Sequence, residues 1–358
     1  MDYVVSYRKY IPRDFEEVIG QKNITETLKK AIEKKMLSKS FLFCGPRGVG
    51  KTTCAKILAR KVNNFDDEEK KSMFNIIELD AASNNSVDDI RNIINQVNFR
   101  PQYGKYKVYI IDEVHMLSNS AFNAFLKILE DPPSHVIFIL ATTEKKKILS
   151  TIISRCQVYD FKRISVNEIT NYLRKICKKE GIEFEEDALL LISEISDGSL
   201  RDALSIFDKL ILDSNKRLLS DRVYNQLGLL DIEYCLKITN LILKKEIYNV
   251  LLLFDEIIKK GVNINMFITS LSKHFRNLFL SKERRTIKLI YFSEKRKKEF
   301  WIQSKKISKN FLKKALNLCN QTEITYKSNK DIRLALEIAL INLTSLHFNN
   351  LNFHNKFK

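Results

Sequence analysis

Nine consecutive residues, Gly45-Pro46-Arg47-Gly48-Val49-Gly50-Lys51-Thr52-Thr53, bring three glycines, a lysine and two hydroxyls together. The spacing is that of the P-loop, G-x-x-x-x-G-K-[ST]. Its glycines let backbone N–H groups wrap an oxyanion, and the helix that follows adds a favourable dipole at its N-terminus. Lys51 would reach the β- and γ-phosphates of a nucleotide, and Thr52 would hold Mg²⁺. Phe41–Cys44 before the motif reads as a buried strand and Thr53–Arg60 after it as a helix. That strand-to-helix turn is the context the motif requires.

Other residues extend the same chemistry. Val108-Tyr-Ile-Ile-Asp112-Glu113 is an apolar strand ending in adjacent carboxylates, about sixty residues beyond the P-loop. This is a Walker B pattern. Asp112 would bind Mg²⁺ through its waters, and Glu113 would orient and deprotonate an attacking water. Phe138-Ile-Leu-Ala-Thr142-Thr143 is a third strand ending in hydroxyls, so Thr143 can hold that water or sense the γ-phosphate. Arg155, in Ser154-Arg155-Cys156, suits an arginine finger supplied to a neighbouring protomer's nucleotide. Arg201 opens a helix in Gly198-Ser-Leu-Arg201-Asp-Ala-Leu and would reach the γ-phosphate of its own protomer. His115 reads as structural. No His/Cys cluster has metal-ligand spacing, and no Ser-His-Asp set is legible.

The elements that must position these residues follow from periodicity. Phe41–Cys44, Ile76–Leu79, Val108–Ile111 and Val136–Ala141 read as buried parallel strands; residues 24–35, 53–62, 87–97 and 119–129 read as the helices between them. That alternation predicts an α/β parallel sheet. All five prolines lie at or before Pro133, and no Gly or Pro follows Gly261. The second half reads as all-α, helix after helix, with apolar residues at i, i+3, i+4 and i+7 over 186–195, 200–212, 250–260 and 332–346. Boundaries fall near residues 163 and 224.

Composition narrows the class. A chain of 358 residues, 44% hydrophobic and 29% charged, is that of a multidomain globular protein. No apolar run reaches the roughly 20 residues that span a bilayer, and the first ten residues lack the apolar core of a signal peptide. The six cysteines are scattered. The expected location is the cytoplasm, without a membrane partner. Of the net charge of +18, +12 falls within residues 273–314. Two readings fit that segment: counterion-releasing contact with nucleic acid, and solvated helix faces in a lysine-rich chain.

The order of P-loop, Asp-Glu-Val-His, Ala-Thr-Thr, Ser-Arg-Cys and Gly-Ser-Leu-Arg-Asp-Ala-Leu resembles the AAA+ ATPases of the clamp-loader type, within them the gamma/tau family of bacterial DNA polymerase III. Arg8-Lys-Tyr10-Ile-Pro12 with Phe15, Val18, Ile19, Gly20 and Gln21 resembles that family's N-terminal signature. So do Glu78–Ser83 and residues 122–133. The resemblance is dense over residues 1–231 and thins beyond. It implies a RecA-like ATPase domain over 1–163, a three-helix lid over 164–224 and a helical collar over 225–358. ATP and Mg²⁺ would be the cofactors, with Arg8, Tyr10, Pro12, Val18 and Ile19 lining the adenine site. Arg91 lies where family members touch the DNA backbone; an Arg91–Asp88 surface pair is the other reading.

The implied function is an ATP-driven motor subunit that loads the sliding clamp onto primed DNA. Its partners would be delta, delta-prime and further copies of itself. Alternatives are a non-hydrolysing structural subunit and a branch-migration helicase. Two departures from the family pattern stand out. Asn63–Ser72 is a short acidic linker where the family carries a four-cysteine zinc module, so no zinc is expected. Ile11 replaces the usual Arg before Pro12, removing one polar contact. The resemblance runs to the collar, so contacts of the kind that a tau-type tail makes with polymerase and helicase are not among the expectations.

Overall fold

The computed structural model describes residues 6–65, 74–212, 217–326 and 331–346, and excludes the side chains of Tyr7, Arg8 and Tyr326. Most of the linker noted above, residues 66–73, lies outside this set. The chain divides into two compact units: Met1–Leu173 with Ser193–Asp208, and Arg174–Ile192 with Lys209–Lys358.

The first unit is built on β1 (Ser40–Cys44), β2 (Ile76–Asp80), β3 (Lys107–Asp112), β4 (Val136–Thr142) and β5 (Gln157–Asp160). All pair in parallel, in the order β2-β3-β4-β1-β5. β1 and β4 are buried along their whole length, as a sheet covered on both faces requires. Helices α1 (Lys22–Glu33), α2 (Lys51–Asn63), α3 (Val87–Val97) and α4 (Asn119–Glu130) lie close to the spans expected from periodicity. One face of the sheet packs Phe41, Phe43, Ile110 and Ile139 against α2 residues Cys54, Ile57 and Leu58. The other packs Leu42, Tyr109, Ile111 and Phe138 against Ile90, Ile93, Phe122 and Phe125. Strand β5, which pairs with β1 as Leu42↔Val158, escapes the periodicity because it has four residues and a single buried one.

Helix ends follow local chemistry. Ser86 and Asp89 form a reciprocal capping box on α3, and Ser118 caps α4 through the Ala121 N–H. Helix α2 starts differently, from Gly50 at φ 102° with no side-chain cap. Its first N–H groups therefore stay available to an anion.

Next along the chain come α5 (Val166–Glu180), α6 (Glu186–Ile195) and α7 (Leu200–Leu212). The second unit continues with α8 (Ser220–Leu227), α9 (Ile232–Leu243), α10 (Ile247–Lys259), α11 (Ile264–Ser281), α12 (Glu294–Lys305), α13 (Lys309–Tyr326) and α14 (Ile332–Ser345). An all-helical reading of this half misses one detail. Glu183–Phe184 (β6) and Arg217–Leu218 (β7) form a two-residue parallel pair, too short to leave a period-two signal. The unit's core is aromatic and aliphatic: Phe254 and Phe267 meet edge to face at 4.8 Å, among buried Val250, Leu271, Phe275, Phe300, Phe311 and Leu340.

A polar thread crosses that core. Gln303 Nε2 donates to Leu236 O at 2.9 Å and to Asn240 Oδ1 at 3.0 Å. Its Oε1 must then accept, so the proton of His274 sits on Nε2, 2.9 Å away. That leaves Nδ1 buried, bare and without a partner among the described residues. Burial pushes the His274 imidazole down from 6.5 to about 4, with the Gln303 bond working weakly against it. The unfolded chain therefore takes up this proton at a higher pH than the folded one. Stability is full above about pH 6.5 and falls as pH drops toward 4, by about 3 kcal/mol once the full shift is expressed. In urea denaturation between pH 7 and 4.5, the second unit should lose about 2 kcal/mol more in the parent chain than in His274→Gln. Equal pH slopes in the two chains would place the acid sensitivity elsewhere.

Candidate functional site

At the C-terminal edge of the sheet, residues from β2, β3, α2 and the segments around them line a cleft of about 750 Å³. Open parallel sheets place their ligands at this edge. The P-loop follows β1. Gly45 N–H donates to Thr142 O at 3.1 Å, and Phe161 N–H donates to Cys44 O at 2.7 Å. A side chain at Gly45 would meet Phe161 O at 2.5 Å. At Gly48, φ is +73°, and a Cβ would sit 2.0 Å from Ser199 Oγ and 3.2 Å from Arg201 Cβ. Leu200 N–H donates to Gly48 O at 3.1 Å. The loop is thus clamped on both sides, and glycine is required at Gly48 for space as well as for φ.

Lys51 is 6% exposed. Its ammonium donates to the carbonyls of Gly45 and Pro46, 2.8 Å each. Burial pushes its pKa below the usual lysine value, while the carboxylates of Glu113 and Asp112 oppose that shift. Thr52 Oγ1 donates to Asp112 Oδ2 at 2.7 Å, linking α2 to the end of β3. Asp112 Oδ1 accepts the Glu113 N–H at 2.9 Å. A hydroxyl and a carboxylate beside a buried lysine form the hard-oxygen donor set that suits Mg²⁺.

Glu113 follows β3 at φ 46°, ψ 44°, a left-handed conformation that costs about 1 kcal/mol in a residue with a Cβ. The turn brings its carboxylate to the same edge as that of Asp112, which strict strand alternation would forbid. Its Oε2 accepts from Thr143 N–H at 3.1 Å and Thr143 Oγ1 at 2.9 Å. His115 Nδ1 lies 3.4 Å from the same oxygen and 3.0 Å from Thr142 Oγ1. Its Nε2 is 3.6 Å from Glu144 Oε1. The histidine read as structural therefore stands directly behind the carboxylate.

Tyr10, Pro12, Val18 and Ile19 line the cleft with Arg47–Thr53, Asp112, Glu113 and Arg201. The side chain of Arg8 falls outside the described residues. Among the described residues, five of those expected are not part of the cleft lining: Gly45 and Pro46 at the start of the loop, Thr143 behind Glu113, and Arg155 and Arg91. Arg155 pairs with Glu130 and donates to Thr151 O at 2.8 Å. Arg91 makes the exposed pair with Asp88, at 3.1 Å.

The sequence reading gives other wall residues no site role, although Glu78 and Asp80 belong to the run 78–83 that resembles the family. Lys56 and Glu78 form an ion pair at 2.8 Å, and both line the cleft with Asp80, Ile164 and Leu204. A second hint was the acidic residue interrupting Ile76-Ile-Glu78-Leu. Gln21 is 3% exposed. It ties the N-terminal segment to Lys162, donating to its carbonyl at 2.7 Å and accepting its N–H at 3.2 Å. Nothing in its sequence neighbourhood announces that role.

A parallel sheet of this order, with P-loop and acidic strand end meeting on one cleft and a hydroxyl-tipped strand holding the carboxylate, defines an AAA+ nucleotide-binding module. Three family models cover most of the chain: DNA polymerase III, delta subunit, over residues 20–165; DNA polymerase III clamp loader subunit, ATPase lid domain, over 168–216; and DNA polymerase III subunits gamma and tau domain III, over 218–350. DNA polymerase III subunit gamma of Buchnera aphidicola subsp. Acyrthosiphon pisum is 33% identical over 96% of this chain and 99% of its own length. DNA polymerase III subunit tau of Bacillus subtilis is 38% identical over 96% of this chain; the match spans 63% of that relative. The chain belongs to the gamma/tau family of DNA polymerase III clamp-loader subunits. Among solved structures, the Thermotoga maritima RuvB Holliday junction branch migration motor shares the fold, with a TM-score of 0.50 and 24% identity over 67% of this chain and 80% of that one.

Gly48→Ala should lower the melting temperature of the first unit and weaken binding of a fluorescent nucleotide at least tenfold. Adding Ser199→Gly removes the nearest clash and leaves the positive φ, so it should restore the loss in part. Full recovery in the double variant would show that space alone fixes this glycine.

Proposed function

We propose that this chain is the ATP-hydrolysing motor of a clamp loader, placing a sliding clamp on primed DNA. The observation that carries the reading is the convergence of Lys51, the Thr52–Asp112 pair and Glu113, itself held by Thr143, on one cleft. The adenine would lie on the wall formed by Tyr10, Pro12, Val18 and Ile19. The loop amides and the N-terminus of α2 would hold the phosphates. Thr52 and Asp112 would hold Mg²⁺, which neutralises phosphate charge when bound.

In this reading Glu113 takes a proton from the water that attacks the γ-phosphorus. Thr143 fixes the carboxylate by occupying Oε2, which leaves Oε1 to face the water. Among the described residues Oε1 accepts no hydrogen bond. General bases of this kind contribute about 10²–10⁴-fold to turnover. Arg201, on the cleft wall, supplies positive charge from the same protomer. Arg155 lies outside its own cleft, which suits a finger that reaches a neighbour's nucleotide; such fingers contribute about 10³–10⁵-fold in GTPases. A trans-acting finger would make turnover depend on assembly. The partners consistent with this reading are delta and delta-prime subunits, further copies of this chain, the clamp and DNA.

Three variants test it, each assayed alone and reconstituted with clamp, partner subunits and primed DNA. Lys51→Ala should abolish nucleotide binding. Glu113→Gln should bind ATP within about twofold of the parent and lose at least 10²-fold in turnover; undiminished hydrolysis would remove Glu113 as the base. Arg155→Ala should bind ATP normally and lose at least 10²-fold in the assembled complex alone. An equal loss in the isolated chain would rule out action in trans.

A further inference from the structure

The second unit carries an uncompensated basic pole. Lys282, at the end of α11, donates to Ser304 O at 2.6 Å, and Lys309, at the start of α13, pairs with Glu283 at 2.9 Å. These two contacts gather the end of α11, the end of α12 and the start of α13. Arg284, Arg285, Lys305 and Lys306 are exposed around the junction. None of them, nor exposed Lys298 one turn back on α12, lies within 4.0 Å of a carboxylate among the described residues.

Elsewhere in the unit some exposed cations are paired and others, such as Lys245, Lys313 and Lys314, are not among the described residues, so the missing partners alone do not set this face apart. Lys259 and Lys260 each meet an acidic side chain of α10, and Arg333 meets Asp255 of α10 and Glu337 of its own helix. The pole also carries the chain's one tryptophan. Trp301 is 44% exposed beside Ile302 at 55%, and Lys305 Nζ stands 3.5 Å from the indole centroid. Counting around α12 at 3.6 residues per turn places Lys295, Lys298, Trp301, Ile302 and Lys305 on one outward face, opposite buried Phe300, Gln303 and Ser304.

We infer that this face binds single-stranded nucleic acid, with Trp301 as the stacking platform and the surrounding cations as phosphate contacts. An aromatic ring flanked by ammonium groups one turn to either side matches a strand that presents a base between successive phosphates. An acidic peptide anchored by an apolar residue needs a groove to seat that residue, whereas this surface is the outer side of one helix. The inference goes beyond the proposed ATPase and needs no nucleotide.

Because Trp301 is the only tryptophan, the intact chain reports on its own surface. Titration with oligothymidylate at low salt, without nucleotide, should quench its fluorescence saturably. Three or four phosphate contacts give log K against log salt a slope of about −2 to −3. Trp301→Ala should weaken binding of a labelled oligonucleotide about tenfold or more, and Trp301→Phe should retain most of it. Lys298→Gln and Lys305→Gln should each make the slope shallower by about 0.7. All these positions are exposed, and circular dichroism checks that the variants fold. The titration is repeated in Lys51→Ala, so a failed nucleotide site leaves it interpretable. Absence of binding at low salt, binding that leaves the tryptophan unquenched, or unchanged affinity in Trp301→Ala would each overturn the inference. So would polyglutamate that quenches and displaces the oligonucleotide at equal charge concentration, which would make the face a site for acidic peptides.

Discussion

The hydrogen bond from Thr52 Oγ1 to Asp112 Oδ2 joins two elements that are not neighbours in the sheet. Strand β4 lies between β1, which leads into the loop, and β3, which ends in Asp112. A 2.7 Å contact across that gap requires the first turn of α2 to start at a fixed height above the strand ends. The glycines allow it: Gly45 lets the chain leave β1 against the Phe161 carbonyl, and Gly48 lets it pass under Ser199. The buried central strands β3, β4 and β1 beneath keep the strand ends in register. Displacing any of these would separate the lysine and the hydroxyl from the carboxylates.

Much of this was legible in the chain because the chemistry is local. The P-loop, the acidic end of β3 and the hydroxyl end of β4 each occupy one short run, and their flanking strands are continuous apolar stretches of the kind a doubly covered sheet demands. What sequence could not supply was the pairing between runs. Thr143 looked like a candidate to hold water; its hydroxyl and its N–H both engage Glu113. His115 looked structural, and it is buried, yet it packs against the carboxylate proposed to act as base. Lys56 and Glu78 lie twenty-two residues apart, and only the β2 register brings them together at the cleft. Arg91 makes the exposed pair with Asp88, an arrangement that leaves it at the surface and does not choose between the two readings.

The helical half illustrates a different limit. Its helices could be read from their stripes, since apolar burial drives them. The thread of Gln303, His274 and Asn240 could not, because His274 and Gln303 are polar residues at core positions and each depends on a partner on another helix. Such networks restrict how helices can slide past one another, since each donor has few acceptors within reach. The β6–β7 pair is equally silent in sequence: two residues per strand carry no period.

The left-handed backbone at Glu113 bears on how a gene for such a protein diverges after duplication. A copy relieved of chemistry is free to place glycine or asparagine there, residues that tolerate this conformation more readily. The strain of about 1 kcal/mol would then be released. Loss of the carboxylate proposed to act as base would thus coincide with a firmer fold, so an inert paralogue can emerge along a path that selection on stability favours.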